Sequence, residues 1–407
     1  MTKNYILVTV SGPDKPGITS SLMNVIVKDH VQIRDMGQSI THGFLSLSFL
    51  LDFNNHSEYD ASQNFEQVND FTTESPVLKD LLFEAKKMGM LLEFDVINDE
   101  EQLTPRGPQY ILSCVAQKNI KASFIKDIST MLAQNSINIR RIENTGSHDF
   151  TKLEISCACP ANFDEGKFKG ALIDISHDHQ IDLAFLRDNV YRRSKRLIVF
   201  DMDSTLIQTE VVDELADIAG AGAKVRDITE RAMNGELDFN QSLIERVSNF
   251  KGMSEKKLAE VADRLPLTPG VEEFIDTVKR LGYKVAVISG GFTYFANYLK
   301  DKLKLDFAFA NELEIVNGEL TGKVKGTIIN AEQKAVLLDL IAQQEGISLE
   351  QVVAIGDGAN DLLMLSKAGL GIAFHAKDVV KQKASHSMSH GPMTSVLHFL
   401  GINQEIN

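Results

Sequence analysis

Positive charge, cysteine and long apolar runs are all scarce in this 407-residue chain. Lysine and arginine number 42 against 56 acidic residues, a formal balance of −14. The average surface field therefore repels phosphate backbones and acidic membranes. Nucleic-acid binding would need a strong local basic patch. The best run, Arg192-Arg193-Ser194-Lys195-Arg196, is short and leads straight into an apolar strand, so it reads as a solvated linker edge. The three cysteines, Cys114, Cys157 and Cys159, are a poor disulfide framework because the count is odd. Each sits in an apolar run, where a buried small hydrophobe is expected. No apolar stretch approaches the ~18 residues a membrane span requires. Met1-Thr2-Lys3-Asn4-Tyr5 opens into an alternating strand without a signal-peptide core, and the expected location is cytoplasmic. What remains has the balance of a globular protein, 43% hydrophobic and 24% charged. At roughly 150 residues per domain, the length implies two or three domains.

The first half contains an internal repeat. Tyr5-Ile6-Leu7-Val8-Thr9-Val10 matches Tyr110-Ile111-Leu112-Ser113-Cys114-Val115, and Val31-Gln32-Ile33-Arg34 matches Ile137-Asn138-Ile139-Arg140. In copy one, helices are expected at about 17–29 and 77–89, the second carrying Val77, Leu78, Leu81, Leu82 and Ala85 at helical spacing. Later strands place Leu45, Leu47 and Phe49, then Leu92, Phe94 and Val96, with period two. Copy two follows the same plan: a helix from Phe124 to Ala133, a strand from Leu153 to Cys159, a helix near 164–176 and a strand from Ile181 to Leu186. Each copy reads βαββαβ, the ferredoxin-like order. The polar stretch Asn54 to Glu74 is an insertion peculiar to copy one, and Glu100 to Pro108 reads as the linker between copies.

The first turn of copy one reads Gly12-Pro13-Asp14-Lys15-Pro16-Gly17-Ile18. An ordinary tight turn with a helix cap would use the same residues. Gly12 and Gly17 would also let backbone approach a ligand closely, with helix N–H groups beyond for a carboxylate. The turn resembles that of the ACT domain, a regulatory module that typically pairs through its sheets and binds amino acids at the interface. The resemblance implies a homodimer and an amino-acid effector held near Gly12, Asp14 and Gly17. Copy two has Ala116-Gln117-Lys118-Asn119 at that place, lacks both glycines and the proline, and reads as a packing partner.

From about Arg196 the pattern changes to alternating strands and helices, which implies a parallel sheet. Leu197–Phe200, Val285–Ile288 and Val352–Ile355 are apolar throughout, as suits strands buried on both faces. A polar cluster follows each: Asp201-Met202-Asp203-Ser204-Thr205, Ser289-Gly290-Gly291, and Gly356-Asp357-Gly358-Ala359-Asn360-Asp361. Lys334 lies between the last two, at the start of a helix running through Val336, Leu337 and Leu340. Ligands in open α/β sheets bind beyond the carboxyl ends of strands, so these clusters should converge. Four gathered carboxylates would force some to protonate unless a hard cation, most plausibly Mg²⁺, relieves them. Lys334 adds positive charge for a phosphoryl group, while Ser289 and the Gly290 N–H can bond its oxygens. This inventory suits phosphoryl transfer, with Asp201 as a carboxylate nucleophile.

The four clusters resemble the motifs of the haloacid dehalogenase superfamily over roughly residues 196–400. A closer resemblance, to the phosphoserine phosphatase family, is carried by Glu210 to Ala216, Arg231 to Phe239, Gln241 to Val247 and Thr268-Pro269-Gly270. ACT modules precede such phosphatases in the family. The expected architecture is therefore α/β: two ferredoxin-like ACT domains, 1–100 and 108–188, ahead of a Rossmann-like parallel-sheet phosphatase, 195–401, with a helical cap at about 211–268. The resemblance implies hydrolysis of O-phospho-L-serine through an aspartyl phosphate, the last step of serine biosynthesis. Asp201 is then the nucleophile and Asp203 the acid and base. The metal is held by Asp201, the Asp203 carbonyl and Asp357, and Asp361 orients Lys334 and the metal environment. Arg246 pairs with the substrate carboxylate, Glu210 with its ammonium, and Ser289, Gly290, Lys334 and Asn360 contact the phosphoryl group or substrate. Met233 and Phe239 line an apolar wall. Phosphohomoserine or phosphoglycolate as substrate, and a catalytically dead amino-acid sensor, are the alternatives. The pairs His177/His179 and His386/His390 lack further ligands and read as loop or surface histidines.

Overall fold

The computed structural model describes residues 5–28, 31–53, 75–97, 107–146 and 149–402. The expected insertion, Asn54 to Glu74, lies outside the described residues, as do residues 100–106 of the expected linker from Glu100 to Pro108. The chain forms two compact units, Met1–Pro105 and Arg106–Asn407.

The first unit runs β1 (Tyr5–Pro13), α1 (Ile18–Lys28), β2 (Gln32–Thr41), β3 (Phe44–Asp52), α2 (Pro76–Lys87) and β4 (Leu91–Ile97). Its antiparallel sheet has the order β2-β3-β1-β4. Helix α1 buries Ile18, Leu22 and Ile26, an i, i+4, i+8 stripe that meets the sheet. Helix α2 opens on a Ser75 cap followed by Pro76 and buries Val77, Leu78, Leu81 and Ala85. Leu82 is turned outward and is 46% exposed.

The second unit begins with the same plan: β5 (Gln109–Ala116), α3 (Ala122–Gln134), β6 (Asn138–Asn144), β7 (Lys152–Ala158), α4 (Glu165–His179) and β8 (Ile181–Arg187), in the sheet order β6-β7-β5-β8. Cys114, Cys157 and Cys159 are free thiols buried within this module, and burial raises the pKa of Cys114 well above the ordinary thiol value and pushes Cys157 up to about 12. The remainder is built on β9 (Leu197–Phe200), followed by four helices, α5 (Val211–Ile218), α6 (Gly222–Met233), α7 (Phe239–Ser248) and α8 (Lys256–Ala262). Then come α9 (Val271–Arg280), β10 (Lys284–Phe292), α10 (Thr293–Leu303), β11 (Phe307–Val316), β12 (Glu319–Lys325) and α11 (Ala331–Gln344). The chain finishes with β13 (Val352–Gly356), α12 (Leu362–Lys367), β14 (Leu370–Phe374), α13 (Asp378–Lys383), β15 (His386–Met388) and α14 (Val396–Phe399).

The seven-stranded sheet has the order β12-β11-β10-β9-β13-β14-β15, parallel except for β12. From β9 the chain winds outward through β10 and β11, then returns to the other side of β9 through β13, β14 and β15. The reversal opens a crevice at the carboxyl ends of β9, β10 and β13, which is where the polar clusters lie. Apolar cores cover both sheet faces. Helix α11 presents Lys334, Leu338 and Ile341 inward, leaving Val336 and Leu340 45% and 54% exposed.

Two expectations are corrected at the junction of β8 with this sheet. Val115, Ala184 and Leu186 of the second module share one apolar core with the phosphatase-like portion, which draws the basic run inside. Arg192 and Lys195 are buried at 5% and 7% exposure, so the run is a structural joint and not a solvated edge. Arg192 pairs with Glu154, and Lys195 Nζ donates to the Glu350 carbonyl at 2.5 Å. His386 is likewise no surface residue, since its Nε2 lies 3.1 Å from the Phe185 carbonyl and burial lowers its pKa. His179 instead meets Asp127 at 3.0 Å, and His177 is exposed.

Candidate active site

Asp201 follows the last residue of β9, and its N–H is bonded to the Ile355 carbonyl of β13, fixing it at the crevice floor. The chain then leaves the sheet in an irregular turn. Asp203 is extended and Ser204 adopts φ 54°, a left-handed conformation that costs a non-glycine residue and recurs at functional turns. The Ser204 hydroxyl donates to Glu210 Oε1 at 2.9 Å, bracing the turn against the start of α5.

Lys334 sits in the first turn of α11, whose start is set by the Asn330 cap. It is completely buried, with Nζ 2.7 Å from both Asp201 Oδ1 and Asp361 Oδ1. Only the Asp361 contact has hydrogen-bond geometry, so Asp201 Oδ1 is a buried atom without a hydrogen bond. Burial alone would lower the Lys334 pKa, yet the two carboxylates carry it above the ordinary lysine value. The Asp201 carboxyl moves up through burial and the nearby Asp361 charge, with Lys334 opposing. Asp361 spends no oxygen on the cleft: Oδ1 takes Lys334 and Oδ2 accepts the Gly358 N–H at 3.0 Å.

Asp203 faces the other way. Its Oδ1 accepts the Val211 N–H at 2.9 Å, and Ser289 Oγ lies 3.4 Å from Oδ2. Burial, aided by Glu210, pushes its carboxyl up to about 8. Ser289 is itself held by the Gly291 N–H at 2.8 Å. A Cβ on Gly291 would come within 2.7 Å of Asp203 Oδ2, and one on Gly290 within 2.8 Å of the Phe239 ring. Glycine at both positions is thus required by close approach.

A cavity of about 520 Å³ joins these groups. Asp201, Asp203, Ser289, Gly290, Asp357 and Asn360 bound it from the sheet side. Glu210, Phe239 and Arg246 bound it from the helices inserted after β9. Lys334 and Asp361 lie beneath rather than on its wall. The Met233 side chain lies outside the described residues, although its backbone ends α6. Arg246 has no carboxylate within 4.0 Å among the described residues, and its Nε reaches only the Ser242 carbonyl at 3.4 Å. Burial lowers its pKa, while Glu210, Asp213 and Asp203 oppose that shift from a distance.

Sequence reading passed over several contributors. Asp213, Thr229 and Lys377 also line the cavity. Asn311 is 1% exposed and clamps the site from behind: Nδ2 donates to the Gly290 carbonyl and Oδ1 accepts the Ile329 N–H, both at 2.8 Å. A polar residue directly after the apolar run Phe307–Ala310, inside β11, was the available signal for Asn311. Lys377 follows the carboxyl end of β14, the same placement rule that exposed the other clusters.

Carboxylate oxygens of Asp201, Asp357 and Asp361 lie within 4.8 Å of one another, an all-oxygen group able to hold a metal ion. No helix among the described residues is long and apolar enough to cross a membrane. Residues 195–369 match the haloacid dehalogenase-like hydrolases and residues 4–95 the ACT domain. Phosphoserine phosphatase SerB2 of Mycobacterium tuberculosis is 37% identical over 99% of this chain and 94% of its own length. A phosphoserine phosphatase of Streptomyces coelicolor is 37% identical over 98% and 93%. The crystal structure of a probable phosphoserine phosphatase from Vibrio cholerae superposes with a TM-score of 0.58 at 37% identity, covering 74% of this chain and 89% of that one.

Proposed function

Because the chain belongs to the phosphoserine phosphatase family of the haloacid dehalogenase superfamily, we propose that it hydrolyses O-phospho-L-serine to L-serine and phosphate, completing serine synthesis in the cytoplasm. The observation that carries the substrate choice is Arg246, a largely buried guanidinium with no carboxylate partner among the described residues, lining the same cavity as Asp201. A buried cation of this kind calls for an anionic partner, and the substrate carboxylate supplies one. Glu210 is exposed on the same wall and suits the substrate ammonium. Phosphoglycolate would leave Glu210 without that partner, which argues for an amino acid.

Asp201 attacks phosphorus, forming the carboxylate–phosphorus bond as the ester P–O bond breaks. Asp203 gives its proton to the departing seryl oxygen; its raised pKa, caused by burial and the Glu210 charge, suits that role. In the second half, Asp203 takes a proton from the water that attacks phosphorus, and the bond to Asp201 breaks to release phosphate. Ser289 and the Gly290 N–H bond the phosphoryl oxygens, and Lys334 holds Asp201 in place from beneath. Phe239 lines the cavity as the apolar wall that limits water.

The oxygen donors fit Mg²⁺, since carboxylate oxygens of Asp201, Asp357 and Asp361 converge within 4.8 Å and all are hard. Asp201, Asp357 and the Asp203 carbonyl would hold the ion. Asp361 supports them, because Lys334 and the Gly358 N–H already occupy its oxygens. When bound, Mg²⁺ would offset phosphoryl negative charge during transfer.

A turnover panel of phosphoserine, phosphohomoserine and phosphoglycolate, with Mg²⁺ and with chelator, tests this reading. Phosphoserine is expected to dominate, with activity lost on chelation. Arg246→Ala should raise the Michaelis constant for phosphoserine far more than for p-nitrophenyl phosphate, by an amount equivalent to ~2–5 kcal/mol. Equal changes for both substrates would show Arg246 to be a structural residue.

The N-terminal module adds control. In the Gly12–Gly17 turn, Gly17 has φ +98°, and Asp14 is exposed with its N–H on the Gly43 carbonyl at 2.8 Å. The carboxylate is thereby left available to an effector ammonium. Strand β2 is exposed along its whole length at the sheet edge, an edge suited to pairing in a homodimer. In the second module the corresponding turn is used internally: the Gln117 amide donates to the His390 carbonyl. L-serine is the effector we assign, and Asp14→Ala should weaken its effect with basal turnover unchanged. Calorimetry that finds equal serine affinity in the native and Asp14→Ala chains would place the effect at the active site as product inhibition.

A further inference from the structure

The second module and the catalytic sheet enclose another cavity, of about 440 Å³, far along β14 from the phosphoryl site. Its walls come from α4 and β8 on one side and from the start of β14 and from β15 on the other. We propose that this cavity is a binding site for a small organic anion with a compact apolar body, of the aryl- or alkyl-carboxylate class.

The charge inventory carries the argument. Lys169, Arg187, Arg192 and Lys195 line the cavity, against Glu165 and Glu350. Glu165 is engaged by the Tyr110 hydroxyl and by Arg187 Nε at 3.3 Å. Arg192 is paired with Glu154, but its buried Nε has no hydrogen-bond partner. Among the described residues, Lys195, 7% exposed, has no carboxylate within 4.0 Å and donates only to the Glu350 carbonyl. Half-buried Lys169 likewise has no carboxylate partner among the described residues. Buried cations are ordinarily paired, so the buried Lys195 ammonium and the orphaned Arg192 N–H, with the half-buried Lys169 beside them on one cavity, describe a missing anion. Desolvation accordingly pushes Lys195 down to about 8 and also lowers Lys169.

The remaining wall sets the shape of the ligand. Phe168, Leu172, Leu186, Leu370 and Phe399 are buried apolar side chains around the same space. An inorganic ion would leave that surface unfilled. The only acidic groups on the lining are Glu165, already engaged, and the exposed Glu350, so a simple carboxylate is better matched than a zwitterion.

Occupation would reach the catalytic cavity through the strand it touches. Gly369, Leu370 and Gly371 border the anion cavity, and β14 continues to Lys377, which lines the catalytic one. Asp182 of β8 meanwhile accepts the N–H groups of Ser389 and Gly391 at 2.6 and 2.8 Å, and the Gly391 carbonyl lies 2.9 Å from His375 Nε2.

Titration calorimetry of the full chain with 3-phenylpropanoate, and with 3-phenylpropanamide as its neutral counterpart, tests the site. Saturable binding of the acid is expected, with the amide weaker by about tenfold or more. Lys195→Met should weaken the acid by a similar factor, and Leu172→Trp should fill the space and remove binding while phosphatase turnover persists. Acid and amide binding alike would overturn the proposal. So would absence of acid binding at millimolar concentration, or undiminished binding in a folded Lys195→Met chain. The comparison of acid with amide uses only the native protein, so it decides the matter even where a variant fails to fold.

Discussion

Asp201→Asn is expected to leave turnover below ~10⁻⁴ of the native rate and to abolish the phosphorylated enzyme altogether. Three losses combine at this position. The amide is a poor nucleophile, it ligates a cation weakly, and its NH₂ or carbonyl must face Lys334 Nζ, now 2.7 Å from Oδ1. Because Asp201 is anchored by its N–H on the Ile355 carbonyl at 2.9 Å, the backbone should stay in place and the fold should persist. Rapid acid quench after mixing with labelled phosphoserine measures the intermediate directly. Near-native turnover, or a covalent phosphate that survives the substitution, would refute the covalent route through Asp201.

Lys334→Met should be nearly as damaging to activity and considerably worse for stability. The wild-type ammonium is wholly buried between Asp201 and Asp361, both themselves 7% exposed or less as side chains. Removing it leaves two buried carboxylates uncompensated, and breaking such a pair typically costs ~3–5 kcal/mol. The effect is not confined to charge, since Asp361 also holds the Gly358 N–H and so shapes the loop that carries Asp357. Chemical denaturation of the single variants and of Lys334→Met/Asp361→Asn checks the assignment. The double variant should recover part of the stability lost by Lys334→Met, because one unpaired carboxylate has gone. Strict additivity would mean that Lys334 and Asp361 do not form the coupled unit described above.

Much of this arrangement could be read from local pattern. Leu197–Phe200, Val285–Ile288 and Val352–Ile355 are apolar without alternation, a property of strands covered on both faces, and all three are central strands with no exposure. The polar residues that end them are forced to one sheet edge by parallel topology, so Asp201, Ser289 and Asp357 could be grouped before any coordinates. The βαββαβ repeat was legible for the same reason: period two and period 3.6 alternate in a fixed order in both copies. Arg246 and Glu210 were different. Their residue types and helical context are those of ordinary solvated charges, and only likeness to a family singled them out.

What tertiary structure alone decided concerns partners distant in sequence. Nothing local distinguishes Lys195 from its exposed neighbour Arg193, yet one is buried against Glu350 because β9 pairs with β13 and brings the two strand starts together. The direction of the Asp203 carboxylate, toward Val211 and Ser289 and away from the Asp201 cluster, follows from a left-handed residue at Ser204 that no propensity would place there. Asn311 joins two segments 21 and 18 residues away through one amide. Periodicity reports how each element divides its own faces between core and solvent, and therefore determines elements and strand ends. Which buried charge meets which partner depends on how separate elements close on one another, and that is a property of the assembled chain.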